Sequence, residues 1–298
     1  MSIAAGMIDH SENRAVGILW MLVTMFCFIS LDSCMKFLLG SYPLVEVTWA
    51  RFFFATVFAG FFAGQDFPGI LGSRAPLLQT GRSLILMLTT GVFNAGVRIE
   101  PLATATSIMF TSPILVTALS VPLLGERVGM RRAFGVAVGF LGAIVIVRPG
   151  VGGLGIGALF LVVAALLNAN YQILTRKVRV HDQPMTSLFY TAAVGAIVTS
   201  AIAPFEWQWP TASGWALFAL SGFFGCVGHL CLIQAFRRAP ASVVAPFSYS
   251  SLLWATLSGW FIFGEWPDLW TWTGAALIIA SGLYIFHRER RHKNEEHT

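Results

Sequence analysis

The sequence predicts an all-α integral membrane protein, with ten transmembrane helices arranged as two inverted five-helix repeats. Three observations carry that fold class. Apolar runs succeed one another along most of the 298 residues, of which 56% are hydrophobic and only 11% charged. An ordinary soluble domain carries about 25% charge, whereas a run of about 18 apolar residues can cross a membrane as a helix. The chain also repeats itself at an offset of 139 residues, and its Lys and Arg are distributed unevenly between alternate connecting segments.

Runs bounded by Pro, Gly or charge give spans near 15–38, 44–64, 80–98, 101–123, 130–148, 154–176, 184–205, 213–236, 240–263 and 268–287. The domain boundaries follow: an N-terminal segment 1–14, repeat one over 15–148, repeat two over 154–287, and a basic tail over 288–298. Asp9, His10 and Glu12 precede the first span and no small-residue cleavage site follows it, so a cleaved signal peptide is not expected. Cys27, Cys34, Cys226 and Cys231 lie inside apolar runs without metal or redox spacing and read as small core residues.

Orientation follows from charge. With both termini in the cytoplasm, fifteen of the 19 Lys and Arg fall on the cytoplasmic side. Lys36, Arg98 and Arg148 fall on the other, and Arg51 sits within the second span. That is a positive-inside pattern. The pI of about 9.3 therefore reports topology, and nucleic acid is not an expected partner. The lipid bilayer is, and the tail HRERRHK reads as a cytoplasmic anchor.

At the 139-residue offset Pro101 meets Pro240, Ser112 meets Ser251, Gly125-Glu126 meets Gly264-Glu265, and Gly135 meets Gly274. Five spans per copy is an odd number, so the second copy enters the membrane from the opposite side. Arginines follow the first Gly-Glu pair and tryptophans the second, as opposite sides of a membrane would require. Inverted repeats are a signature of secondary transporters, with substrate held near the midplane between halves. Each glycine of the pair is placed to close a helix, and each glutamate to cap the next one, a gate or ion site being the alternative. Gly135, Gly139, Gly142, Gly274 and Gly282 suit close helix packing, within the chain or across a homodimer.

Two stretches then carry a resemblance. EPLATATSIMFTSPILVTALSVPLLGE (100–126), its echo APASVVAPFSYSSLLWATLSGWFIFGE (239–265), and DSCMK (32–36) with WAR (49–51) resemble the EamA family of the drug/metabolite transporter superfamily, as two tandem units over nearly the whole chain. The resemblance implies a multi-pass carrier of the bacterial inner membrane with a 5+5 helix fold, a central cavity, and spans 5 and 10 at the periphery. Family members are associated with amino acids, nucleobase-like compounds, S-adenosylmethionine or riboflavin. The DSCMK and WAR elements tilt the expectation toward uptake of a cofactor-like or nucleoside-like metabolite. One departure stands out: Leu252 occupies the place that corresponds to Pro113, and the nearest proline, Pro246, lies earlier.

Polar groups inside spans are costly and point to function by default. Asp32 lies roughly 9 Å from the far end of its span and Arg51 roughly 10 Å into the next, at 1.5 Å per residue. They suit an ion pair or an anion- or proton-responsive site near the outer mouth, with Lys36, one turn from Asp32, as a competitor. His229 beside a Gly222, Gly225, Gly228 stripe and Asn168 in the sixth span are candidate hydrogen-bonding groups for substrate, or interhelical glue. Pro113 and Pro246 predict kinks whose freed backbone groups, with Ser107 and Tyr249 nearby, suit a cavity wall. Trp20 and Trp254 are deep enough to stack on a planar substrate or simply to pack.

The leading function is secondary transport of a small organic metabolite by alternating access. A lipid-linked carrier flippase is the alternative. An enzyme is not expected, because no HExxH, GxSxG, P-loop or metal-spaced His/Cys cluster occurs. For the same reason no cofactor, metal or ATP-driven step is expected.

Overall fold

The computed structural model describes residues 2–124, 130–147, 155–239 and 241–295. Gly125-Glu126 and Pro240 lie outside the described residues. Among those described, every regular element is helical: α1 Ser2–Leu39, α2 Leu44–Ala63, α3 Phe67–Leu71, α4 Pro76–Val97, α5 Leu102–Met109, α6 Ser112–Leu124, α7 Met130–Val147, α8 Ile156–Val178, α9 Pro184–Ile202, α10 Ala212–Arg238, α11 Ala241–Val244, α12 Ser250–Phe263 and α13 Leu269–Glu295. Short 3-10 turns cover 64–66, 203–205 and 245–249.

Five stretches are long and apolar enough to cross a membrane: Ala15–Leu39, Leu44–Leu71, Ile156–Val178, Pro184–Phe205 and Ala212–Arg238. Leu102–Val116, Ala137–Val147 and Leu269–Tyr284 are apolar but shorter. The fourth and ninth sequence spans are shortened by their breaks. Pro113 cannot donate to the preceding turn, and its ring crowds that turn, so α5 ends at Met109 and α6 begins at Ser112. Thr111 Oγ1 donates to Ile108 O at 2.7 Å, satisfying a carbonyl at the break. In the second repeat Pro246 lies inside the 3-10 turn 245–249, and Ser251 Oγ donates to Ser248 O at 2.8 Å. The helix α4 starts four residues before the expected span, which brings Gln79 inside it.

Packing follows the repeat. The pairs are α1 on α10, α4 on α8, α2 on α9, α5 on α12, and α7 on α13. Under the 139-residue offset the first two pairs exchange, the α2–α9 and α7–α13 pairs each map onto themselves, and α5 and α12 belong to the corresponding spans 101–123 and 240–263. Chain direction reverses between copies: α8 begins beside Glu100, whose carbonyl holds Lys36 near the end of α1. The molecule therefore has one end at the 40–43 loop and an opposite end at the 179–183 loop, called here the Tyr42 end and the Asp182 end.

Glycines set the closest approaches. A Cβ on Gly142 would lie 2.8 Å from Gly274 O, and one on Gly274 would lie 2.6 Å from Gly142 O, so α7 and α13 touch backbone to backbone. Those glycines are used within the chain. On α10, a Cβ on Gly222 would lie 2.3 Å from Phe54 Cβ, and one on Gly228 2.7 Å from the Phe28 ring, which holds α10 tight against α1 and α2. Phe61, Phe134, Ile197 and Leu19 face outward and exposed, as side chains bathed in lipid would.

Candidate functional site

A cavity of about 700 Å³ runs between the repeats, walled by α1, α2, α4, the α5–α6 break, α8, α9 and α10. That volume suits a drug-sized ligand. It reaches Arg179, Asp182 and Ser187 at the Asp182 end and stops at Ile29, Asp32, Arg51 and Phe93 further in. The expected outer mouth near Asp32 is thus corrected: Asp32 belongs to the deep part of a cavity entered from the opposite end.

Among the described residues the one salt bridge is Lys36–Glu265. Asp32 and Arg51 both line the cavity but do not pair with each other, and Lys36 does not compete for Asp32. An unpaired carboxylate and an unpaired guanidinium therefore face the same space. Nδ1 of His229 lies 2.7 Å from Gly225 O. A carbonyl only accepts, so Nδ1 carries the hydrogen and the other ring nitrogen, Nε2, is left as an acceptor in the neutral form. The His229 ring meets Phe28 edge-on at 4.9 Å, and both line the cavity, as does Asn168.

The residue that sequence reasoning missed is Arg82, which reads there as an ordinary cytoplasmic charge. It is 2% exposed. Its Nη1 donates to Tyr171 Oη at 3.1 Å and Thr175 Oγ1 at 3.3 Å; its Nη2 donates to Ser187 O and Thr191 Oγ1, each at 2.6 Å. One guanidinium so joins α4, α8 and α9. A signal was available: Asn168, Tyr171, Gln172 and Thr175 recur at helical spacing as a polar stripe in an apolar helix, and all four line the cavity.

At the mouth, Asp182 gathers the loop before α4. Burial raises its pKa, but hydrogen bonds from Ser73 Oγ, Arg74 N at 2.8 Å and Gln79 Nε2 at 2.9 Å, with the charge of His181, outweigh that and hold it below the usual carboxylate range. A depressed carboxyl contributes stability above its unfolded value, about 3.9, and loses it as pH falls through the folded one. Melting curves in detergent should therefore fall more steeply below about pH 4 for wild type than for Asp182→Asn. Equal acid profiles would contradict this assignment.

Other sequence candidates lie off the cavity wall. Ser107 is fully buried and donates to Ala103 O at 2.8 Å, a bond within its own helix. Trp20 packs under the Arg238 guanidinium, 5.5 Å from its ring centre. Trp254 meets Phe26 edge-on at 5.4 Å with its indole nitrogen buried and unpartnered. Tyr249 packs on Phe110 at 5.0 Å, with its hydroxyl filling the space that a Cβ on Gly282 would need. All four are near enough to brace the wall and none forms it, because each ring or hydroxyl is taken by a protein neighbour or turned into the core. Pro113 does line the cavity; Pro246 does not.

The Tyr42 end is sealed. Lys36 Nζ lies 2.7 Å from Glu265 Oε1 and donates to Glu265 Oε2 and to Glu100 O, both at 2.8 Å. The Lys36 and Glu265 side chains are 10% and 28% exposed. Glu265 Oε2 also accepts Leu102 N at 3.3 Å. The expectation that Glu265 caps the following helix is thus corrected: it caps α5, and Asp268 accepts Thr271 N at 2.8 Å at the start of α13. Gly264 makes this reach feasible. Its φ of 67° is left-handed, and Gly264 N to Trp260 O with Glu265 N to Gly259 O closes α12 in a reversal that favours glycine. Nearby, Tyr42 Oη accepts Thr211 N at 3.2 Å, and buried Glu46 accepts Gln208 N at 3.0 Å, fastening the α9–α10 loop over the same end.

Comparison with known proteins agrees with this architecture. The chain is 30% identical to an S-adenosylmethionine uptake transporter of Rickettsia conorii, over 97% of this chain and 98% of the relative. It is 29% identical to a riboflavin transporter of Rhizobium johnstonii, over 95% of each chain. A solved crystal structure 20% identical in sequence covers 94% of this chain and 98% of its own with a TM-score of 0.62, which shows a shared fold. Residues 15–148 and 155–286 each match the EamA-like transporter family. The chain is a multi-pass membrane transporter and belongs to the EamA-like transporter family, with two copies of that unit.

Proposed function

We propose that the chain is a ten-span secondary transporter of the bacterial inner membrane, its two five-span repeats inverted, both termini cytoplasmic, taking up an S-adenosylmethionine-like metabolite by alternating access. The carrying observation is one cavity, closed at the Tyr42 end, in which Asp32 and Arg51 stay unpaired among Phe28, Phe52, Phe93 and Phe110. S-adenosylmethionine offers a sulfonium and an ammonium to a carboxylate, a carboxylate to a guanidinium, and a flat base to aromatic rings. Riboflavin would use the rings and offer Asp32 neutral hydrogen-bond donors but no cation. The cavity opens at the end that carries most of the arginines, so with the positive-inside rule the conformation is inward-open, with substrate released to the cytoplasm.

A melting-temperature panel of purified protein with S-adenosylmethionine, riboflavin, adenosine and amino acids tests this reading. A ligand at 100 times its Kd stabilises by about 2.7 kcal/mol. S-adenosylmethionine should give the largest shift, reduced in His229→Ala, which loses the Nε2 acceptor. A shift with riboflavin alone would sink the mixed-charge assignment.

A further inference from the structure

We infer that Arg82 is a specificity-determining residue that docks the substrate's carboxylate, with the Tyr171 hydroxyl beside it, in a subsite on α4 and α8 across from Asp32. The inference rests on the substrate reading above and adds to it which group recognises the acid.

Three arginines line the cavity, Arg51, Arg82 and Arg179, against two carboxylates, Asp32 and Asp182. Asp182 is occupied by the neutral donors of the mouth. Arg82 is the most deeply buried of the three, and its four hydrogen bonds all go to uncharged oxygens. Its Nε is buried without a partner. A buried guanidinium with no counter-ion is costly for a fold to keep, and a carboxylate arriving from the cavity would offset that cost. The four Nη hydrogens are held by protein oxygens, so an arriving acid is met by the fixed positive charge of Arg82 and by the Tyr171 O–H beside it.

The surroundings fit an acid. The Tyr171 hydroxyl accepts from Arg82, and its own proton is given to no protein group, so it is available to an incoming oxygen. The Asn168 and Gln172 amides line the same wall and are likewise unengaged by the protein. Arg51 is the weaker candidate, because it lines the deep part of the cavity together with Asp32, where the substrate's cation is placed.

The test compares binding of S-adenosylmethionine with that of its decarboxylated analogue by calorimetry, in wild type, Arg82→Lys, Arg82→Gln and Tyr171→Phe. Hydrogen bonds to a charged group imply that wild type prefers the carboxylated probe about tenfold or more. Arg82→Gln should bind the two probes within about threefold, losing affinity for the carboxylated one only. Arg82→Lys keeps the charge but not the four bonds that fix its position, and should fall between. Tyr171→Phe keeps the ring beneath the guanidinium, 5.2 Å away, and is expected to fold even where Arg82→Gln does not; it should weaken the carboxylated probe selectively. A wild type that discriminates, with variants that discriminate as strongly or lose both probes equally, overturns the subsite alone. A wild type that binds both probes alike overturns the carboxylate subsite, and one that binds neither overturns the substrate reading and the subsite with it.

Discussion

Glu265→Gln and Lys36→Met should each open the Tyr42 end and cut net transport about tenfold or more. Removing one partner of a buried ion pair costs about 3–5 kcal/mol. Lys36 and Glu265 are 10% and 28% exposed, so we take about 2 kcal/mol, discounted for solvent screening. At 1.4 kcal/mol per tenfold, that moves a two-state population about thirtyfold. The change falls on the state whose Tyr42 end is shut, because there the pair, with Glu100 O and Leu102 N, ties α1 to α5 and to the α12–α13 loop. Spin labels at Gly40 and Trp266, in a background without the four cysteines, should report a longer distance in either variant. Reversing both charges should restore the short one only in part, because Glu100 O and Leu102 N would then face groups of the wrong sign. Unchanged distances together with unchanged transport would remove the pair from the gating mechanism.

Asp32→Asn should separate stability from function. The carboxylate makes no ion pair, and an ionised group inside a span is costly to hold. The amide is therefore expected to leave the ligand-free melting temperature equal or higher. Affinity for a cationic substrate should fall roughly ten- to a hundredfold, the worth of hydrogen bonds to a charged group. A variant that melts lower and binds as before would make Asp32 structural.

Much of this architecture was legible because lipid simplifies the code. Apolar runs, the 139-residue offset and the Lys/Arg imbalance each report on long segments, so errors of a few residues at boundaries do no damage. The breaks at Pro113 and Pro246 were legible for a local reason, since proline acts on its own turn. What failed was partner choice. Lys36 lies one turn from Asp32 yet bonds Glu265, 229 residues away, and no local spacing announces that. Glu265 was read as capping the helix that follows it because caps are normally local; the left-handed turn at Gly264 sends it to α5. Arg82 was misread because an arginine near a span's start looks like a topology signal, whereas three hydroxyls and a carbonyl on α8 and α9 draw it inward. The tryptophans mark the opposite limit: depth left stacking and packing both open, and Trp20 packs on Arg238 and Trp254 on Phe26.

The most direct measurement is uptake of labelled S-adenosylmethionine into proteoliposomes holding wild type or Asp32→Asn. Wild type should show saturable uptake, competed by unlabelled S-adenosylmethionine, and Asp32→Asn should lose most of it. Uptake by Asp32→Asn at the wild-type rate, or none by a wild type that binds and moves another metabolite, would contradict this reading.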